Sequence, residues 1–154
     1  PILRTLAISL AVTPLLRLTG WNEIIQLRRT IGLYAFFYGL LHFLTWSVLD
    51  WFFDVASMLD DVLKRPFITL GMVTFVILLA LAVTSNRASI RRLGKRWTTL
   101  HRLVYVATIT GLVHFWLVRK VVADELLVLV LTCAVLLGFR LWWTARQSRA
   151  LAAA

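Results

Sequence analysis

Five long runs of apolar residues constrain the fold of this chain more than any other feature. They cover about residues 2–16, 31–53, 66–84, 97–118 and 121–143. A helix needs about 20 apolar residues to cross a bilayer, and every run except the first approaches that length. The runs show no alternation of period two, and lipid does not tolerate the open edge of a sheet. The sequence predicts an all-α integral membrane protein, a bundle of five transmembrane helices that forms a single domain over residues 1–154.

Composition supports a membrane protein and argues against a nucleic-acid-binding one. Hydrophobic residues make up 60% of the chain and the mean hydropathy is +0.84, whereas soluble domains are about 45–50% apolar. The net charge is +10, but most basic residues lie between the apolar runs, where they set topology and contact lipid phosphates. We therefore expect the lipid bilayer, and no nucleic acid, as a partner. The single cysteine, Cys133, lies within an apolar run and is predicted to be a small buried side chain.

The distribution of basic residues predicts the orientation of the bundle. Cytoplasmic segments of membrane proteins are enriched in lysine and arginine, and the connection 85–96 is the most basic in the chain. Placing it in the cytoplasm also places the C-terminus there. The basic residues on the cytoplasmic side are then Arg17, Arg28, Arg29, Arg87, Arg91, Arg92, Lys95, Arg96, Arg146 and Arg149. The other side receives Lys64, Arg65, Arg119 and Lys120 with the acids Asp54, Asp60, Asp61, Asp124 and Glu125.

The three histidines of the chain, His42, His101 and His114, all fall within or at the edge of apolar runs. An ionisable group inside a bilayer is costly and usually functional, and neutral imidazole is a common haem ligand. Counted from the cytoplasmic ends of their helices at 1.5 Å per residue, His101 lies about 6 Å deep, His42 about 17 Å and His114 about 25 Å. His42 and His114 are therefore predicted to ligate one haem b from its two faces. His101 would serve a second haem near the cytoplasm, or nothing.

The spacing of the last two histidines raises a geometric objection. Thirteen residues place His101 and His114 about 140° apart around a straight helix. Their helix must present haems on two flanks or be distorted between them, and Gly111 gives local freedom there. A single histidine could instead hydrogen-bond a neighbouring helix. A proton relay would need Asp, Glu or Tyr beside the histidines, and the only candidates are Tyr34, Tyr38 and Tyr105.

Four stretches of the sequence resemble the MsrQ (YedZ-type) family of the ferric-reductase-like transmembrane superfamily. They are LRRTIGLY at 27–34 with His42 following, KRPFITLG at 64–71, LAVTS at 81–85 and LGKRWTTLHRLVY at 93–105. The resemblance covers essentially the whole chain. Family members carry one more helix upstream, so the resemblance implies a six-helix protein that is truncated here at its N-terminus.

The resemblance implies a haem-binding membrane subunit of the periplasmic methionine sulfoxide reductase system, in the bacterial inner membrane. Such a subunit takes electrons from a cytoplasmic flavin reductase or from quinones. It passes them through haem b to a periplasmic molybdopterin enzyme that repairs oxidised proteins. The chain would be an electron-transfer subunit rather than the catalytic one. The family has also been associated with FMN.

The resemblance also assigns residues to the haem. His42, His101 and His114 match the family's haem histidines. Arg28 stands fourteen residues before His42, where a partner for His101 would be expected. A guanidinium stays protonated and is a poor iron ligand, but it suits a haem propionate. The predicted propionate contacts are Arg28, Arg29, Lys95 and Arg96.

Two other classes of protein remain open from the sequence. One is another haem b membrane protein, a ferric reductase or a quinol-linked anchor cytochrome. The other is a haem-free membrane scaffold, which would be colourless when purified. The number of haems, with one or two per chain, also remains open.

Overall fold

The computed structural model describes residues 1–20, 24–119 and 124–152, and within these ranges the secondary structure is helical, without strands. The predicted all-α class is confirmed. The helices are α1 (Ile2–Thr19), α2 (Ile24–Thr45), α3 (Val55–Lys64), α4 (Pro66–Val83), α5 (Arg87–Leu93), α6 (Lys95–His101), α7 (Leu103–Arg119) and α8 (Asp124–Ala152). A π-helical turn, Trp46–Asp50, extends α2.

Four helical segments of the described chain are long and apolar enough to cross a membrane. They are Ile2–Thr19, Gln26–Asp50, Pro66–Val83 and Lys95–Arg119. They correspond to the first four apolar runs, so the chain is a multi-pass membrane protein. The fifth run gives a shorter apolar helical stretch, Leu126–Arg140, within α8. The predicted start of that run, residues 121–123, lies outside the described residues.

Local sequence sets the ends of the membrane helices. Pro66 opens α4 at a first-turn position, where its missing N–H costs no hydrogen bond. Gly20 ends α1 in the left-handed conformation, with φ 69°, and donates its N–H to the carbonyl of Leu16.

The helices pack in pairs around a small apolar core. α1 packs on α2 and α8, and α4 packs on both α2 and α7. A Cβ added at Gly111 of α7 would lie 3.1 Å from Leu3 of α1, so the absence of a side chain permits a close approach. Between α4 and α7, the hydroxyls of Thr74 and Thr110 are 2.7 Å apart. The core residues are Leu6, Leu10, Ala35, Leu78, Leu81, Val104 and Ala107.

Three features of the fold do not follow from the apolar runs alone. The acidic connection after the second span contains the helix α3, and the basic connection 85–96 contains α5, which is capped by the side chain of Asn86. The fourth span is continuous but locally tightened at Arg102, between α6 and α7, where the N–H groups of Arg102 and Tyr105 bond to the carbonyls three residues earlier. The distortion allowed for between His101 and His114 therefore lies directly after His101 and not at Gly111.

The two ends of the bundle differ in charge. The end that carries Arg17, Arg28 and α5 is called the basic end here, and the end that carries α3 is called the α3 end. At the basic end, the Arg17 guanidinium lies 5.2 Å from the ring centroid of Trp143, which joins the last turn of α1 to α8. Of the residues used to predict orientation, Lys120 lies outside the described residues, as do the side chains of Glu125 and Arg149.

Candidate functional site

Two of the three histidines meet inside the bundle. His42 on α2 and His114 on α7 have ring centroids 6.2 Å apart, with an angle of 68° between the ring planes. α4 packs against both of these helices. Both histidines line one cavity of about 750 Å³, which is a volume typical of small-molecule and cofactor sites. The structure thus brings together the two histidines that were predicted to lie on one haem.

Backbone atoms of α4 fix the His114 ring. Its Nδ1 lies 2.6 Å from the carbonyl oxygen of Phe67. A carbonyl only accepts, so Nδ1 carries the proton, and in a neutral imidazole Nε2 is then left with a lone pair. Gly71, one turn along α4, leaves room for the ring, since a Cβ there would lie 2.9 Å from Nδ1 and Cε1. A histidine held in this way by a backbone carbonyl offers Nε2 to a metal.

The environment of His42 differs from that of His114. Within the described chain the His42 ring has no hydrogen-bond partner, and it is exposed on the cavity. Its neighbour Phe43 stacks on Phe75 of α4, with centroids 4.6 Å apart and planes within 8°. This aromatic pair fixes α2 against α4 next to the histidine and leaves the imidazole nitrogens available.

The cavity combines apolar walls with a few charged groups. Its apolar lining includes Phe43, Phe67, Met72, Phe75, Leu78, Phe115 and Leu129. Its charged lining consists of Arg4, Asp50, Asp61, Arg65 and Arg119. The Arg65 Nε lies 2.8 Å from Asp61 Oδ1, and that carboxylate is buried. The Arg119 guanidinium lies 5.4 Å from the centroid of Phe115.

These charged residues were not among the sequence-predicted site residues. Arg65 and Arg119 could have been predicted from their positions in the sequence. Both border apolar runs on the side of the predicted bundle toward which His42 and His114 lie. Arg4 lies within the first run, and only the packing of α1 against α7 explains its place on the cavity.

The cavity residues fit a haem. With metal–imidazole bonds of about 2 Å and each ligating nitrogen about 1.1 Å from its ring centre, two axial imidazoles have centroids about 6 Å apart. The observed separation is 6.2 Å. Within the described residues no group of three His, Cys, Asp or Glu side chains could hold a bare metal ion. The arginines of the lining suit anionic groups of a cofactor such as the propionates of a haem.

The third histidine lies elsewhere. His101 is near the basic end and does not line the cavity. Its Nδ1 lies 3.1 Å from the carbonyl oxygen of Trp97, and its ring stacks on that indole at 3.9 Å. Its Nε2 lies 3.4 Å from Ser85 Oγ, which donates to the carbonyl of Leu81. The carbonyl of Trp97 only accepts, so His101 carries a proton on Nδ1, as His114 does, and the Ser85 hydroxyl, whose one proton goes to Leu81, does not also donate to Nε2.

The four predicted propionate contacts also lie away from the cavity. None of them lines it; Arg28 and Arg29 lie near the start of α2, and Lys95 and Arg96 open α6, the helix that ends at His101. Arg28 is half-buried and its backbone carbonyl accepts from Ser9 Oγ at 3.5 Å. Its three companions, Arg29, Lys95 and Arg96, are exposed.

Known proteins that are similar to this chain share one name, and a family model also matches it. Residues 2–112 match the family described as "Ferric reductase like transmembrane component". A protein of Ralstonia nicotianae is 51% identical over 94% of this chain and 68% of its own length. Proteins of Herminiimonas arsenicoxydans and Bordetella pertussis are 50% and 49% identical, over 90% and 92% of this chain and 65% and 70% of their own lengths. All three are named protein-methionine-sulfoxide reductase heme-binding subunit MsrQ.

The similarity does not extend over the whole of these relatives. The chain spans between 60% and 70% of the length of relatives such as those of Azospira oryzae and Bordetella pertussis. No solved structure matches the chain.

Proposed function

This chain belongs to the MsrQ family of ferric reductase like transmembrane proteins, and from this premise we propose that it is a haem b subunit that carries electrons across the bacterial inner membrane. The observation that supports this role best is the His42–His114 pair on the 750 Å³ cavity. The named relatives are heme-binding subunits, and the pair has the spacing that two axial imidazoles require.

The proposed route runs from the basic end to the α3 end. The basic end faces the cytoplasm, following the rule that cytoplasmic segments are rich in lysine and arginine. The electron donor is a cytoplasmic flavin reductase or a quinol. The acceptor is a periplasmic molybdopterin enzyme that reduces methionine sulfoxide in oxidised proteins. The cavity lies on the acceptor's side of the bilayer, which suits a site from which electrons leave.

The chain's own residues hold and shield the cofactor. A haem supplies a one-electron carrier that the protein side chains lack. His42 and His114 would hold the haem iron, and ligation by two imidazoles would favour electron transfer over reactions with oxygen. The stacked rings of Phe43 and Phe75, with the other apolar lining residues, exclude water from the site.

The arginines of the chain divide between two ends. Arg4, Arg65 and Arg119 line the cavity and are the proposed contacts for the propionates of the His42–His114 haem. His101 is the proposed ligand for a second haem at the basic end, with Nε2 as the ligating atom. The propionate contacts of that haem would be Arg28, Arg29, Lys95 and Arg96, which lie at the same end.

The dithionite-reduced minus oxidised spectrum of the purified chain tests the proposal, with haem quantified as the pyridine haemochrome. We expect the α-band of a b-type cytochrome. His42→Ala and His114→Ala should each abolish the low-spin spectrum of the cavity haem. A colourless protein from haem-replete cells would support the scaffold alternative instead. Flavin extracted from the same preparation tests the association with FMN.

His101→Ala is the matched control. It should leave the low-spin spectrum of the cavity haem in place, because His101 does not line the cavity. A fall of one haem per chain in this variant would assign the second haem to His101. Loss of the cavity haem in this variant, with the other two histidines intact, would contradict the proposed ligand pair.

A further inference from the structure

The segment between the second and third membrane spans has a strained backbone that exposes two aromatic rings. Phe52 and Phe53 are consecutive non-glycine residues with positive φ, 46° and 62°. Side chains other than glycine rarely adopt this region, and such strain persists where the surrounding structure imposes it. The side chains of Phe52 and Phe53 are 83% and 60% exposed. The strained turn therefore presents two phenylalanines outward.

The helix that follows, α3, presents three different sectors around its axis. Successive residues turn by about 100°, so residues four apart share a face. One sector packs on the bundle through the buried or half-buried side chains of Ser57, Met58, Asp61 and Val62. A second sector is polar and exposed, with Lys64 Nζ 2.7 Å from Asp60 Oδ2.

The third sector of α3 is apolar and exposed. Val55, Leu59 and Leu63 are spaced four residues apart and are 64%, 59% and 84% exposed. This sector lies between the packed sector and the polar one. An exposed apolar face of this kind, next to a charged face, is the pattern of a helix that lies in the plane of a membrane surface.

We propose that α3 is an interfacial helix, with Val55, Leu59, Leu63, Phe52 and Phe53 inserted at the boundary between lipid headgroups and acyl chains. The short connections between α3 and the two neighbouring spans support a position of α3 at the lipid surface. Three residues separate the π-helical turn from Asp54, the N-cap of α3, and one residue, Arg65, separates α3 from α4. Both neighbours are membrane spans, so α3 must lie where they reach the membrane surface.

The two spans that flank α3 also present apolar side chains that suit lipid. At the end of the preceding span Leu49 is exposed, and on α4 Val73 and Val76 are exposed. In a membrane protein these side chains face acyl chains, so both spans that flank α3 present apolar side chains to lipid, as the apolar sector of α3 would do. The Asp60–Lys64 pair would then face water.

This arrangement places a lipid-anchored helix on the wall of the histidine cavity. Asp61 belongs to the packed sector, pairs with Arg65, and lines the cavity together with it. The inference about α3 rests on the exposed apolar sector and the strained turn, and it holds whether or not the cavity binds haem.

Spin labels on the whole chain in bilayers test the proposal. The single cysteine is first removed by Cys133→Ala. Cysteine is then introduced one position at a time at Leu59, Leu63, Asp60 and Lys64, and labelled with a nitroxide. These side chains are exposed, so the labels disturb little packing. The labelled proteins are reconstituted in phosphatidylcholine–phosphatidylglycerol vesicles, and collision with lipid-soluble oxygen and with a water-soluble nickel chelate is measured.

The expected result is a severalfold higher ratio of oxygen to nickel accessibility at positions 59 and 63 than at 60 and 64. A label at Val76 on α4 gives the value for lipid, and one at Arg91 on α5 gives the value for water. Equal nickel accessibility at all four positions of α3 would overturn the proposal and leave the apolar sector as a surface for a protein partner. The Val76 label also reports folding, since its protection from nickel requires an inserted bundle.

Discussion

The imidazole of His114 lies directly against Gly71 of α4, so closely that a Cβ added to the glycine would be 2.9 Å from both Nδ1 and Cε1 of the ring. The same ring is held by the carbonyl of Phe67, one turn earlier on α4. The position of His114 thus depends on the backbone of a helix that carries no histidine.

Gly71→Ala should displace the His114 ring and weaken haem binding. Loss of an orienting contact behind a metal-binding histidine typically costs about 10–100-fold in affinity. Haem titration of the variant, followed by the low-spin absorption, measures the loss. Gly32→Ala is the matched control, because a Cβ at Gly32 would meet nothing within 4 Å. Equal haem affinity in the two variants would contradict the role given to Gly71.

The charged residues of the cavity should shift the reduction potential of its haem in opposite directions. A nearby cation stabilises the reduced cofactor, which has gained an electron, and an anion does the reverse. Arg119→Gln should therefore lower the potential. Asp61→Asn should raise it, because Arg65 then loses its neutralising partner. Potentiometric titration measures both shifts, with Arg91→Gln on α5, an exposed residue that is not a proposed haem contact, as the control. A shift of the same sign in both cavity variants would rule out a direct electrostatic effect.

The hydroxyl pair between α4 and α7 should contribute measurably to the stability of the bundle. Thr74 and Thr110 are 2.7 Å apart, and each hydroxyl also lies 2.9 Å from a carbonyl of its own helix. Hydrogen bonds between membrane helices contribute about 0.6 kcal/mol on average. A double-mutant cycle with Thr74→Val and Thr110→Val, measured by unfolding in mixed detergent, should give a coupling of that size. Strictly additive effects would show that the hydroxyls bond only to their own backbones.

The first turn of α3 should loosen in acid. Ser57 donates its hydroxyl and N–H to the Asp54 carboxylate, and these hydrogen bonds lower the pKa of Asp54. A depressed pKa means that the cap stabilises α3 above the ordinary aspartate value of about 3.9 and is lost as the pH falls through the lowered value.

Hydrogen exchange of the Ala56 and Ser57 amides, which donate to Asp54, reports this loosening. Protection should fall on acidification in the natural sequence and should be low at every pH in Asp54→Ala. Asp60→Asn is the control on the same helix and should keep the acid dependence. If Asp54→Ala retained full protection at neutral pH, the cap would not stabilise the turn.

Much of the fold could be predicted because a bilayer permits few solutions. Apolar length alone located the spans that contain His42 and His114. The helix α3 was missed because its acids were assigned to a connection, although Val55, Leu59 and Leu63 have helical spacing and Asp54 is a common N-cap residue. The local tightening of the fourth span at Arg102 has no proline or glycine beside it to signal it.

The approximate depths of the site histidines in the bilayer were predictable, but their contacts were not. The rise per residue of a helix was enough to pair His42 with His114, because the depth of a residue along its helix can be counted without knowing how the helices pack. The contacts of His114 with Gly71 and Phe67 depend on how α4 and α7 pack, which no local pattern encodes. The presence of Arg4 on the cavity depends likewise on the packing of α1.

The two cavity histidines come from helices that both pack on α4. A group bound to both would tie α2 to α7, and a ligand that binds only the folded state stabilises that state. Assembly of the bundle would then be completed by its cofactor rather than by the chain alone. A cell short of haem would hold copies that lack this added stability, so the abundance of this protein would follow the supply of haem without any dedicated sensor.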